Sequence, residues 1–181
     1  MSFMVNHLVG FGAGGGGDGN DSFTKALLHL DGSNGSTTFT DSSASAHTWT
    51  RNSTATITTA QSQFGGASGD FVSTGYISTG SHADFGFGTG DFTVDFWIRP
   101  TAFDNSYDGY FDLSLDGTFE ITRWRNGLND GKIFTVIGGV NTITSHIPSD
   151  TNVWRHCAYV RSGTACNFYV NGVSVMSTTS S

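Results

Sequence analysis

Phe92-Thr93-Val94-Asp95-Phe96-Trp97-Ile98-Arg99-Pro100 is the stretch that decides the fold class. Side chains of an extended chain alternate, so Phe92, Val94, Phe96 and Ile98 share one face and Thr93, Asp95, Trp97 and Arg99 the other. Pro100 ends the run, because proline cannot donate to a ladder. Toward the C-terminus, Tyr110 to Leu115, Thr118 to Trp124, Lys132 to Gly138 and Asn141 to Ile147 read as further strands, the first three parted by Asp116-Gly117 and Asn126 to Gly131. Trp154 to Arg161 and Ala165 to Asn171 flank a Ser162-Gly163-Thr164 turn. Toward the N-terminus lie short β-type runs at Thr54 to Thr58 and Phe71 to Ile77. Before them Leu27, Leu28 and Leu30 run into the turn cluster Asp31 to Gly35. The pattern holds from Ser22 to about Val175, and Met176 to Ser181 is polar and unpatterned. No stretch offers three helical turns.

Composition points the same way. The 181 residues hold 36% hydrophobic and 13% aromatic residues, enough for a core, but only 13% charged ones. Ser and Thr make up about a quarter of the chain, a share that suits strands and turns better than helices. A net charge of −7 with only two lysines excludes nonspecific nucleic-acid binding, which needs phosphate neutralisation. No apolar run reaches the length of a membrane span, and the start lacks the basic region and cleavage site of a secretory signal.

The two cysteines, Cys157 and Cys166, have neither CxxC nor zinc-finger spacing. With the hairpin turn at Arg161-Ser162 they would stand opposite each other; at Ser162-Gly163 they would be diagonal. Two buried thiols are the expectation. Residues 1–21 read as a separate unit, a modestly apolar peptide, Met1 to Phe11, followed by a Gly-rich leash from Gly12 to Asn20 that behaves as flexible coil. A docking anchor is expected there, with residues 22–181 forming the domain.

Several blocks in order carry a resemblance: Ala26-Leu27-Leu28-His29-Leu30-Asp31-Gly32, Phe39 to Ser43, Gln63 to Ser68, Thr89 to Pro100, Trp154 to Gly163 and Phe168-Tyr169-Val170-Asn171-Gly172. Together they resemble laminin-G-like domains of the concanavalin A-like lectin/glucanase superfamily, of the kind found in phage and bacterial surface proteins. The resemblance implies an all-β, two-sheet antiparallel jelly-roll sandwich. Relatives continue after the last of these blocks into further strands ending beside the first one. The sandwich is therefore expected to lack its last strands; without them the Leu27 to Leu30 strand would be an exposed apolar edge, so either the sequence is part of a longer chain or another subunit supplies the missing strands.

The chemistry is expected to be binding rather than catalysis. Retaining glycoside hydrolysis uses two carboxyl groups about 5 Å apart. Glucanases of this fold carry closely spaced Glu and Asp on one strand, whereas Glu120 is the sole glutamate here, and Asp112, Asp116 and Glu120 match no such text. The histidines stand singly and no Gly-x-Ser-x-Gly elbow frames a serine. Relatives bind calcium on the rim, and Asp31 with Asn34, Asp104 with Asn105 and Asp108, and Asn129 with Asp130 are oxygen-rich clusters. Each is also an ordinary turn, and no ligand is assigned. For glycans, which stack on aromatic faces beside planar polar groups, the candidates are Trp49, Tyr107, Tyr110 and Trp124, with Arg123, Arg125 and Asn126 as polar company. Like viral surface proteins, the chain joins an apolar anchor on a Gly leash to a weakly charged β domain without an export signal. The expectation is a virion surface, tail, fibre or capsid-decoration protein, homo-oligomeric, docked on other virion proteins through residues 1–20 and contacting host glycans. A bacterial extracellular adhesion module is the alternative.

Overall fold

The computed structural model describes residues 2–11, 22–102, 108–113, 119–124, 132–137, 140–144 and 150–180. Fourteen strands lie along them: β1 (Ser2–Phe11), β2 (Ala26–Leu28), β3 (Thr50–Asn52), β4 (Thr56–Thr58), β5 (Ser68–Val72), β6 (Tyr76–Ser78), β7 (Phe92–Pro100), β8 (Asp108–Asp112), β9 (Phe119–Trp124), β10 (Lys132–Ile137), β11 (Val140–Ile143), β12 (Arg155–Ser162), β13 (Ala165–Val170) and β14 (Val173–Thr179). A single 3-10 turn, Ala83–Phe85, is the only helical element among the described residues. The large sheet runs β14-β13-β12-β7-β1-β5-β4, with β2 also paired to β1. A second sheet runs β11-β10-β9-β8, and β3 pairs with β6. Every pairing is antiparallel.

The alternation in β7 sets the geometry. Phe92, Val94, Phe96 and Ile98 are buried, while the residues between them are half-exposed. The core face continues onto β12 and β13, where Cys157, Tyr159, Cys166, Phe168 and Val170 are buried. Fully burying an aromatic such as Phe168 stabilises the fold by about 1.5–3 kcal/mol. Phe87, Phe92 and Tyr159 stack with centroid separations of 4.1 and 5.8 Å. The second sheet closes over this face. Tyr110 of β8 packs on Phe96 at 5.8 Å, Ile133 of β10 joins the core, and the Thr135 hydroxyl donates to the Met176 sulfur at 3.4 Å. Two facing antiparallel sheets with one core between them make the expected sandwich.

Three expectations change. Residues 2–11, read as a docking peptide outside the domain, are paired within the large sheet, from Phe3↔Pro100 to Phe11↔Thr93 against β7 and from Ser2↔Val72 to Val5↔Gly69 against β5. β1 also flanks β2, with Leu8 opposite Leu28, so the Leu27 to Leu30 strand has a neighbour from within the chain, and Leu28 is fully buried. Backbone donors along three strands make that slot too costly to leave unfilled. The tail after Val170 does not end the sheet. Asn171 and Gly172, both at positive φ (49° and 77°), form a two-residue turn, and β14 returns along β13 from Val170↔Val173 to Ala165↔Thr179.

The third change is the register of the β12–β13 hairpin. Ser162 pairs with Ala165, so the turn is Gly163-Thr164, one residue beyond the nearer expected position and two beyond the other. Gly163 takes φ +58°, a conformation that a Cβ resists, and its N–H donates to the Asp91 carboxylate at 2.6 Å. Arg161 wraps back to the Gly163 and Gly88 carbonyls. In this register Cys157 faces Val170 and Cys166 faces Arg161, and both cysteines are buried and outside any disulfide.

Candidate functional site

The outward side of β7 carries an aromatic patch. Trp97, half-exposed, meets the edge of Phe64 at 5.3 Å with an interplanar angle of 87°, and Phe64 is 52% exposed. On the other flank the His156 ring lies 5.4 Å from Trp97, at its register position on β12. His156 Nε2 is 3.4 Å from the Asp95 carboxylate, and the Asn171 side-chain carbonyl accepts the His156 backbone N–H at 2.9 Å. An aromatic face with a carboxylate, an imidazole and an amide beside it suits a sugar ring, which offers C–H faces and hydroxyl edges together. The alternation along β7 indicated that Trp97 faces away from the core. Nothing in the sequence linked it to Phe64, which reaches it from a loop before β5.

A second cluster sits where the loop after β2 meets the 3-10 turn. Asp41, buried, accepts the Leu27 and Ser43 N–H groups on Oδ1, both at 2.9 Å, and the His47 N–H on Oδ2 at 3.1 Å. The Trp49 indole N–H points at the same Oδ2 from 3.4 Å. Burial pushes the Asp41 carboxyl upward, but the bonds from Leu27, Ser43 and Trp49 outweigh it and hold the group below the usual carboxylate range. The loop so fixed, with Ala46 at φ +47°, presents Ser45 and His47 to Asp84. Ser45 Oγ lies 2.7 Å, His47 Nε2 3.1 Å and His82 Nδ1 3.3 Å from Asp84 Oδ2. The Ser45 hydrogen bond holds the Asp84 carboxyl down; partial burial opposes it, and the two histidines assist. The Phe85 ring anchors the cluster, 4.9 Å from His47 and 6.4 Å from Trp49. Donor atoms of His47, His82 and Asp84 lie within 4.8 Å of one another. His82-Ala83-Asp84 was the only hint of this in the sequence, and its partner His47 lies in a different loop.

Of the residues singled out for glycan contact, Trp49 and Tyr110 are the ones whose side chains are described, and they pack against different parts of the core. Trp49 is half-buried with its indole N–H turned to Asp41, and Tyr110 is half-buried against Phe96. Arg123 and Trp124 belong to β9, in register with Ile133 and Lys132. Tyr107, Arg125 and Asn126 lie outside the described residues, as do Asp104, Asn105, Asn129 and Asp130 among the oxygen-rich turns. Asp112 and Glu120 are direct register partners across β8 and β9.

Searches among curated proteins and among solved structures find no match to the chain. A laminin-G-type family profile, described as concanavalin A-like lectin/glucanases superfamily, matches residues 69–181, more than half of the chain, from within β5 through β14. With that match and the two facing antiparallel sheets, the chain belongs to the laminin-G-type branch of the concanavalin A-like lectin/glucanase superfamily.

Proposed function

We propose that this chain is a non-enzymatic carbohydrate-binding and adhesion protein, and that it acts as a repeated surface or appendage subunit of a virion. The observation that carries the binding reading is the Phe64–Trp97–His156 patch on a lectin-type sheet, with Asp95 and Asn171 beside it. Contacts of this kind are weak singly, and repetition around a particle raises them by avidity. The virion reading is supported by a weakly charged, Ser/Thr/Gly-rich β domain. The non-enzymatic reading rests on the single glutamate, Glu120, which stands in none of the closely spaced acidic runs of glucanases.

A glycan array, read with and without calcium, tests the binding. Trp97→Ala and Phe64→Ala are each expected to lower the signal at least tenfold, as loss of a stacking face does. Phe64 is more than half exposed, so its removal leaves the fold intact. Retained binding in both variants moves the site elsewhere. For the virion reading, the native source is fractionated by sedimentation and the chain located by intact mass. Migration with megadalton particles is expected, and a free protein near 19.2 kDa refutes it. Hydrolysis of a β-glucan that Glu120→Gln abolishes would refute the non-enzymatic reading.

A further inference from the structure

We propose that His47, His82 and Asp84 form a binding site for a divalent first-row transition ion of the zinc type, with at least one coordination position open to solvent or a further ligand. This site is separate from the aromatic patch and does not depend on glycan binding. Donors bonded at about 2.0–2.1 Å in a tetrahedral site stand roughly 3.3 Å apart. Asp84 Oδ2 lies 3.1 Å from His47 Nε2 and 3.3 Å from His82 Nδ1, so two of the three edges are already at that spacing. Rotation of His82, whose side chain is 53% exposed, closes the third.

The other two donors are held in place. The His47 backbone N–H is fixed on Asp41, its ring lies against Phe85, and its side chain is only 9% exposed. The Ser45 hydroxyl donates to Asp84 Oδ2, the outer-shell bond that orients a ligating carboxylate. His82 Nδ1 also faces the Asp84 backbone N–H, which donates to it at 3.2 Å, so an ion taken up there would displace that one long capping hydrogen bond. Two imidazoles and one carboxylate suit zinc, copper, nickel or iron, whereas calcium takes six to eight oxygens.

The test uses the untagged full chain, stripped with chelator, then titrated with Zn²⁺ by calorimetry and with Co²⁺ by visible absorption. One Zn²⁺ per chain is expected, with d–d bands for the Co²⁺ form. Zn²⁺ is also expected to raise the unfolding temperature where Ca²⁺ at equal concentration does not. His82→Ala and Asp84→Asn each weaken Zn²⁺ at least tenfold, while exposed His29→Ala leaves the affinity unchanged. His82→Ala removes a half-exposed ring, so its metal-free unfolding temperature stays at the wild-type value. Zn²⁺ affinity unaltered in both the His82 and the Asp84 variants overturns the proposal, as does a hydrogen-bonded His–Asp cluster that takes up no Zn²⁺.

Discussion

Replacing Asp41 with Asn keeps the shape of the side chain and removes its charge, which isolates what the buried carboxylate does. Oδ1 would still accept from Leu27 and Ser43, but through neutral bonds. The new NH2 group would face the His47 N–H and the Trp49 indole N–H, donor against donor. A hydrogen bond to a charged group contributes about 1.5–3 kcal/mol and a neutral one about half as much. Two weakened bonds at Oδ1 and two lost at Oδ2, the latter in half-buried positions that water partly replaces, give an expected loss of about 2–4 kcal/mol at pH 7. For a chain of this size each kcal/mol lowers the unfolding temperature by about 2–4 °C. The pH dependence has a definite sign. The folded-state pKa of Asp41 is depressed, so its contribution is complete above the unfolded carboxylate value of 3.8 and fades as pH falls through the lower folded value. Urea unfolding followed by tryptophan fluorescence should therefore show a lower midpoint at unchanged slope for Asp41→Asn at pH 7, and a gap to wild type that narrows below pH 3.8. Equal midpoints at pH 7, or a gap of constant size down the acid range, would refute the reasoning.

Removing residues 2–11 bares the β7, β5 and β2 ladders at once, so the shortened protein should aggregate on refolding in sedimentation velocity. A soluble monomer with wild-type melting would place the segment outside the sheet. In Gly69→Ala the new Cβ meets Phe71 Cε2 at 2.6 Å and Leu30 Cδ1 at 3.3 Å, both in buried side chains, and calorimetry should register a loss of about 1–3 kcal/mol. A change under about 0.5 kcal/mol would mean that the Phe71 ring yields freely. Neither Cys157 nor Cys166 should react with a thiol reagent before denaturant is added, after which two equivalents appear. Native labelling of either, or a disulfide in the non-reduced protein, contradicts the observed register.

Strand identity was legible wherever alternation ran long enough. β7 was bounded by its own pattern and by Pro100, and the shared face of Cys157, Tyr159, Cys166, Phe168 and Val170 followed from parity alone. Turn position was not, because Ser162, Gly163 and Thr164 can all enter a turn, and the choice was made by Gly163's positive φ and its bond to Asp91, distant in sequence. β14 was missed because Val173 to Thr179 is a mostly exposed strand without clean alternation, although Asn171-Gly172 signalled a hairpin. β1 was missed for another reason. Its apolar text fits an anchor or a strand equally well, and only its partners distinguish the two. The candidate site behaves likewise. Single histidines carry no spacing signal, and Trp49 and Tyr110, chosen as aromatics, serve packing, while Trp97 with Phe64 emerges only when a loop folds onto β7.

The place of β1 also constrains how the protein can be made. Val9 pairs with Asp95, 86 residues later, so the strand at the middle of the sheet leaves the ribosome long before its main partner exists. At about 5–20 residues per second the wait is on the order of five to twenty seconds. During that interval an apolar segment with unpaired backbone is available to any other nascent copy. Non-local pairing of this kind slows folding and widens the window for misassembly. Expression at low temperature and low ribosome loading should therefore raise the soluble yield more than any change of buffer.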